Sequence, residues 1–288
     1  MNTEKKKIDI SAVIPTIGEK SLNKLIVNLN SGTVIPKEII LIYPPKEKKT
    51  LNENSYDNLR ILNSLKKGQV AQRYWGIKNT NYDLILQLDA DISMKKNTLE
   101  ELLKAYNLKG PKVAVGAKVK ITNSKKKQSV AGDKLKKVFN FIGGGNINIV
   151  DKKKEFRFDH WFVNYSQPLK SQFVNLIPGG CILFNKKYYK NFDYYPLNGH
   201  AIGEDLINSL YLRKYGNNLF FQKTAEVYQP KSTGYDHHNT RELYIFLVKI
   251  FKIKKHICKI AKGNIFRYYV WYIYFVVVSI TKFIIHKK

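Results

Sequence analysis

Apolar positions along this chain change their period several times, and the changes predict an alternation of strands and helices. Ile8 to Pro15 reads as a buried strand, and Ser21 to Asn30 as a helix with Ser21 placed to cap it. Strands are predicted again at Glu38 to Tyr43, Leu59 to Asn63, Leu84 to Leu88 and Val113 to Ile121. Helices are predicted at Gly68 to Asn79 and at Thr98 to Tyr106, the second capped by Asn97 or Thr98. Such alternation implies an α/β fold with a mainly parallel sheet and helices on both of its faces. The polar, lysine-rich stretch from Thr122 to Lys137 marks a boundary or a mobile segment.

Beyond it the pattern is less regular. Gly143-Gly144-Gly145-Asn146 is not a phosphate loop, because no Lys-Ser/Thr pair follows, and it reads as a flexible turn. Ile177 to Phe184 is an apolar strand interrupted by the pair Gly179-Gly180. Gly203 to Gly216 reads as a helix, with Leu206, Leu210 and Arg213 spaced by a turn and Gly216 as its stop. Glu204 and Asp205 open this helix, where its dipole favours negative charge.

The last third is amphipathic. Between Leu243 and Ala261 one stripe holds Leu243, Phe246, Leu247, Ile250, Phe251, Ile257 and Ala261, while Lys249, Lys252, Lys255, Lys259 and Lys262 fall largely on the other face. Lys254 lies within the apolar stripe. A basic amphipathic helix reads as a membrane-surface element or as a helix packed on the preceding domain. The run Tyr268 to Thr281, bounded by Arg267 and Lys282, is uncharged and aromatic but shorter than the roughly 20 residues a spanning helix needs. Tyrosine and tryptophan favour the membrane interface. The expectation is a catalytic domain over residues 1–235 and a helical tail over 236–288 that lies on an anionic membrane rather than crossing it.

Charge sharpens the choice of partners. The formal net charge is +28, yet arginine occurs only six times, and lysine, asparagine, isoleucine and tyrosine are all abundant. Drift in coding composition accounts for scattered surface lysines. A cationic surface still seeks anions, and nucleotide diphosphates and acidic lipid headgroups both qualify. A nucleic-acid partner is not expected, because no concentration of arginines and aromatics forms a binding motif. Cys181 and Cys258 are far apart and make no Cys-x-x-Cys pair, so neither a disulfide framework nor a cysteine zinc site is expected. The polar start, Met1 to Lys7, leads straight into a strand without the pattern of a secretory leader, so the expected setting is the cytoplasmic face of a membrane.

The candidate chemistry begins at Asp83-Leu84-Ile85-Leu86-Gln87-Leu88-Asp89-Ala90-Asp91. Side chains at i and i+2 of an extended chain point to the same side, so Asp89 and Asp91 can face one ligand. Paired carboxylates at the C-terminal end of a strand suit a divalent cation that carries a diphosphate. Together with Ile10 to Thr16, with Gly68-Gln69-Val70-Ala71-Gln72-Arg73-Tyr74-Trp75-Gly76, with Pro178-Gly179-Gly180 and with Gly203-Glu204-Asp205, in that order, this segment resembles family 2 glycosyltransferases of the GT-A fold. The resemblance covers roughly residues 8 to 230.

The resemblance implies a Rossmann-like GT-A domain that moves a sugar from a nucleotide-sugar donor to a hydroxyl of a cell-surface glycan or a lipid-linked acceptor, with inversion. It implies Asp205 as the base that takes the acceptor proton and Glu204 as its orienting neighbour. It implies Asp91 as the direct ligand of Mn²⁺ or Mg²⁺, and Asp89 at the ribose or at the metal through water. Pro15, Thr16, Gly179 and Gly180 would line the donor site, and Arg73 would pair with phosphate or with a site carboxylate. His238, and more weakly His237 and Arg241, come after the strand that ends at Gln229, where relatives carry a metal-binding histidine or a diphosphate contact. Leu41 to Pro45 holds no aspartate to read a base, so UDP is a default. A transferase of the same fold that loads sugar onto a polyprenyl phosphate is the alternative enzyme, and a scaffold without catalysis is the alternative class.

Overall fold

The computed structural model describes residues 6–47, 51, 53–121, 146–148, 162–164, 168–189, 201, 203–230, 239–260 and 264–286. By contacts the chain divides into two compact units. One is Met1–Asn123 with Gln167–Lys231, and the other is Ser124–Ser166 with Ser232–Lys288.

The first unit opens with strand β1 (Lys6–Pro15), helix α1 (Leu22–Ser31), strands β2 (Val34–Tyr43) and β3 (Leu59–Asn63), helix α2 (Gln69–Lys78) and strand β4 (Leu84–Leu88). Then come β5 (Ser93–Met94), α3 (Thr98–Lys109) and β6 (Val113–Ile121). After β7 (Asn146–Asn148) and β8 (Phe162–Asn164), which pair with each other in the second unit, the chain returns with β9 (Gln172–Val174), β10 (Cys181–Asn185), α4 (Glu204–Lys214) and β11 (Asn218–Gln229). Among the described residues nine strands form one sheet in the order β3-β2-β1-β4-β10-β6-β11-β5, with β9 on β11.

The first half of the sheet is parallel, as the alternating pattern predicts: β2 pairs with β3 and β1, and β1 with β4. Its strands are apolar on both faces, and Ile39 to Tyr43 are wholly buried, as central parallel strands under helices must be. Helix α1 turns Leu22, Leu25, Ile26 and Leu29 inward at spacings of three and four, which is why this segment is a helix. Its expected cap is absent: the Ser21 hydroxyl instead donates to Ala90 O at 3.0 Å, tying the helix start to the turn after β4. Asn97 likewise makes no side-chain cap on α3, and the Thr98 hydroxyl donates to Glu226 O at 2.7 Å. Glu38, buried inside the sheet, accepts from Ser11, Arg60 and the Asn81 N–H, which neutralises an otherwise costly charge.

Strand β10 is one of the antiparallel members that make the sheet mainly, and not wholly, parallel. It runs antiparallel between β4 and β6, with Cys181 opposite Leu88. It also starts later than the sequence pattern indicates, at Cys181, so Gly179 and Gly180 form the turn that precedes it. Because β10 is reversed, its beginning lies at the same sheet edge as the end of β4.

Among the described residues the second unit carries helices α5 (Thr240–Ile260) and α6 (Ile265–His286). Tyr268 and Tyr272 of α6 donate their hydroxyls to Phe251 O (2.8 Å) and Leu247 O (3.1 Å) of α5. Phe251 packs edge-on to Tyr272 with ring centroids 4.9 Å apart, and Lys254 lies 5.6 Å over the Trp271 ring. Among the described residues no helix is long and apolar enough to cross a membrane.

Candidate functional site

The strand expected to carry both aspartates stops at Leu88, so Asp89 and Asp91 stand in the turn that follows. Their shared position comes from that turn rather than from strand alternation. Hydrogen bonding from Asp89 N–H to Gly180 O at 3.0 Å fixes the start of the turn against the Gly179-Gly180 turn. The Gln87 side chain adds a second tie, donating to Gly179 O at 2.8 Å. A side chain on Gly180 would put its Cβ 3.2 Å from Asp89 Oδ2, so a glycine here lets the carboxylate approach the backbone.

Helix α2 brings the cation. Gly76 has no Cβ, and one placed there would strike Ile42 and Val13 within 3 Å, so α2 lies close on β2 and β1. The turns before Gly76 therefore reach the strand ends. Gln72 donates to Thr16 O at 3.0 Å, and Gln69 to Asp89 Oδ1 at 3.0 Å. Arg73 is buried and forks, one nitrogen on Asp89 Oδ1 and the other on Glu204 Oε2. Planar guanidinium geometry suits such a two-carboxylate bridge. The two acids hold Arg73 firmly protonated despite its burial. Its Nε has no hydrogen-bond partner among the described residues.

The acidic pair arrives on α4. Gly203 adopts a left-handed conformation, φ 64° and ψ 19°, that glycine takes at little cost. The chain thereby turns into the helix with Glu204 and Asp205 in its first turn. The Gly179 backbone passes close to the Asp205 carboxylate: a Cβ on Gly179 would sit 2.3 Å from Asp205 Oδ1. Burial, then the charges of Glu204 and Asp89, push the Asp205 carboxyl well above the usual carboxylate range, while Arg73 and the Gly179 N–H pull against them.

Asp91 is half-buried. Burial first and the Asp89 charge second raise its carboxyl, with a smaller push from Glu19. Gln229, at the end of β11, gives it a hydrogen bond. Short strand β5 brings the two together by pairing Ser93 with Tyr228. Among the described residues no cation pairs with Asp91, and no cluster of three or more metal-binding side chains is present. A carboxylate strained by burial and a like-charged neighbour, with oxygen ligands only, fits a hard divalent cation such as Mn²⁺ or Mg²⁺.

Pro15 ends β1 and Thr16 follows it, buried, with its hydroxyl donated to Glu19 and accepting from Gly18 N–H at 2.9 Å. The structure thus gathers Thr16, Arg73, Asp89, Gly179, Gly180, Glu204 and Asp205 into one linked cluster within the first unit, with Asp91 beside it. Arg241 stands exposed in the first turn of α5, in the second unit. His237, His238, the Gly143–Gly145 run and the Thr122–Lys137 stretch lie outside the described residues. Four site residues escaped the sequence reading: Glu19, Gln69, Gln72 and Gln229. Gln69 and Gln72 lie in the segment quoted for Arg73, but a glutamine there carries no signal until its acceptor is known.

The glycosyl transferase family 2 model matches residues 11–191, which takes in β1, the α2 helix, the Asp89–Asp91 turn and the glycine pair. No curated protein matches the chain. Among solved structures, Staphylococcus aureus TarS 1–349 in complex with UDP-GlcNAc is similar at TM-score 0.54 and 17% identity, over 87% of this chain and 67% of that one. GalNAc-T7 with UDP, GalNAc and Mn²⁺ is similar at TM-score 0.54 and 13% identity, over 84% of this chain and 47% of that one. A further structure of S. aureus TarS is similar at TM-score 0.51 and 14% identity, over 87% of this chain and 40% of that one. At such identities the structures speak for the fold, which is GT-A-like, while the family match spans more than half the sequence and includes Arg73, Asp89, Asp91, Gly179 and Gly180, with Glu204 and Asp205 beyond its end. The chain belongs to glycosyl transferase family 2.

Proposed function

We propose that this protein transfers a sugar from a nucleotide-sugar donor to an acceptor hydroxyl with inversion, residues 1–235 forming the catalytic domain. The observation that carries this reading is the Asp205 carboxylate. It is buried, stands against the Gly179 backbone, and adjoins Glu204, which Arg73 ties to the carboxylate after β4. Raised basicity suits a group that must take a proton from a hydroxyl as the new bond forms. Arg73 orients Glu204 and fixes the distance between the base helix and the donor turn. Alignment of the two substrates supplies the entropic part of the rate.

Asp91, with Asp89 beside it, would hold Mn²⁺ or Mg²⁺, and such an ion would neutralise the charge of the departing diphosphate. Gly179 and Gly180 keep room for the donor by leaving out a side chain where carboxylates already crowd the backbone. TarS and GalNAc-T7 are seen with uridine nucleotides, which supports UDP as the donor nucleotide here. A glycan or lipid-linked hydroxyl is the acceptor this chemistry serves.

The test is a panel of nucleotide sugars with and without Mn²⁺, read as nucleoside diphosphate release and as anomeric configuration of the product by NMR. Inverted product whose formation collapses in Asp205→Asn supports the reading. Retained configuration overturns it. Full transfer to a polyprenyl phosphate by Asp205→Asn would assign the fold to the phosphate-acceptor reaction, whose nucleophile needs no base.

A further inference from the structure

The two C-terminal helices divide their surfaces differently from the sequence expectation. On α5 the apolar stripe is spent internally: Leu243, Leu247, Ile250, Ile253 and Ile257 are buried, while Lys252, Lys255 and Lys259 are exposed. On α6 the inward face is Tyr268, Trp271, Tyr272 and Phe275, which pack or hydrogen-bond against α5. The opposite face is largely bare, although Tyr269 at its edge also meets the Phe251 ring of α5 at 6.3 Å. Phe266, Tyr269, Ile273, Val277, Ile280 and Ile284 recur at spacings of three and four and are between 41% and 72% exposed. A stripe at that spacing occupies one side of a helix about 33 Å long and carries no charge. Six large apolar side chains in a row on an exposed helix face mark a docking site.

Charge selects the occupant. Among the described residues of the two helices the one acid is Glu242, against Arg241, Arg267 and the lysines of α5. A second copy would bring two such cationic hairpins together, which like-charge repulsion opposes. An anionic lipid surface, such as a cytoplasmic leaflet presents, attracts them at about 1 kcal/mol per cation near the surface. Exposed Tyr244, Phe266 and Tyr269 suit the headgroup level, where amphipathic rings collect.

We propose that the outward face of α6, from Phe266 to Ile284, is a docking surface for an anionic lipid bilayer, on which the helix lies in the plane of the interface. The membrane element is then α6, with α5 as its basic backing rather than the inserted helix. This inference is independent of the catalytic reading, because vesicle binding is measured without substrate.

The experiment is sedimentation of the full chain with phosphatidylcholine vesicles, with and without phosphatidylglycerol, at low and high salt, beside sedimentation velocity without vesicles. The full chain is expected to bind the anionic vesicles at low salt, and salt to weaken that binding only in part, since screening acts on the lysines and not on the apolar face. Ile273→Gln, Val277→Gln and Ile280→Gln together should weaken binding by about tenfold or more, with helix content unchanged by circular dichroism. Lys252→Gln with Lys255→Gln should reduce the preference for phosphatidylglycerol. If the triple variant loses helix content, the three single substitutions replace it: graded losses support the proposal, and parent-like binding by all three overturns it. A triple variant that binds like the parent overturns it too, as does a parent that ignores anionic vesicles at low salt. So does a parent dimer that the triple variant turns into monomer, which would make this face a contact between copies.

Discussion

Arg73 of α2 and Glu204 of α4 form a buried ion pair across 131 residues of sequence, and the same guanidinium holds Asp89 with its other nitrogen. The donor turn and the base helix are thus joined by one side chain. Arg73→Met would leave two buried carboxylates without their cation, which costs about 3–5 kcal/mol. Urea unfolding should register that loss. Arg73→Lys should recover only part of it, because a lysine offers a point charge and cannot fork between two acids. Equal stability of Arg73→Met and the parent would show that the bridge contributes nothing.

Asp205→Asn keeps the shape of the site and removes its basicity. Turnover should fall roughly 10²–10⁴-fold while donor affinity is kept, because other residues hold the diphosphate. Glu204→Gln should cost less. The pH profile adds a sign. Since burial and neighbouring acids raise the Asp205 carboxyl, the active carboxylate form gains population only above the ordinary carboxylate range, so turnover should climb with pH there. An acid limb near an ordinary aspartate value would contradict the burial argument.

Gly179→Ala tests the close approach of backbone and base. Its Cβ would stand 2.3 Å from Asp205 Oδ1, a distance no real contact tolerates. The carboxylate must move, and turnover should drop by about tenfold or more, as a misplaced catalytic group implies. Gly180→Ala meets Asp89 Oδ2 at 3.2 Å and should be milder. Measuring kcat for both decides the order, and a harsher effect at Gly180 would reject it.

Asp91→Asn halves the negative charge offered to a cation. Nucleotide binding that depends on Mn²⁺ should disappear in calorimetry, while the fold survives. Gln229→Ala should weaken the same binding less, since Gln229 positions Asp91 through one hydrogen bond. Unchanged metal dependence in Asp91→Asn would place the ion elsewhere.

Lys254 carries a pH signature of the α5–α6 pair. Burial against the Trp271 ring pushes its ammonium down to about 8 from an ordinary value of 10.5. Between those values the unfolded chain holds the proton and the folded chain does not, so stability should rise as pH increases across that window. Lys254→Met should remove this slope and raise the melting temperature at neutral pH. Parallel melting curves of parent and variant from pH 7 to 10 would refute the assignment.

Written in the chain itself are the alternation of elements and the parallel half of the sheet, and with them Asp89, Asp91, Glu204, Asp205 and Arg73 as candidates for the site. These are local signals: period, turn residues and short motifs are written into neighbouring positions. Folding in three dimensions sets β10 against β4. That reversal is what carries Gly179 and Gly180 to the end of β4 and sets them over the carboxylates. It also decided which partner Arg73 takes, between phosphate and carboxylate, because a cation's choice depends on which acids the fold brings within reach. The roles of Gln69, Gln72 and Gln229 were hidden for the same reason: an amide has no chemistry of its own until packing supplies its partner. Likewise the two apolar stripes of α5 and α6 look alike along the chain, and burial alone separates the one consumed inside from the one left facing out.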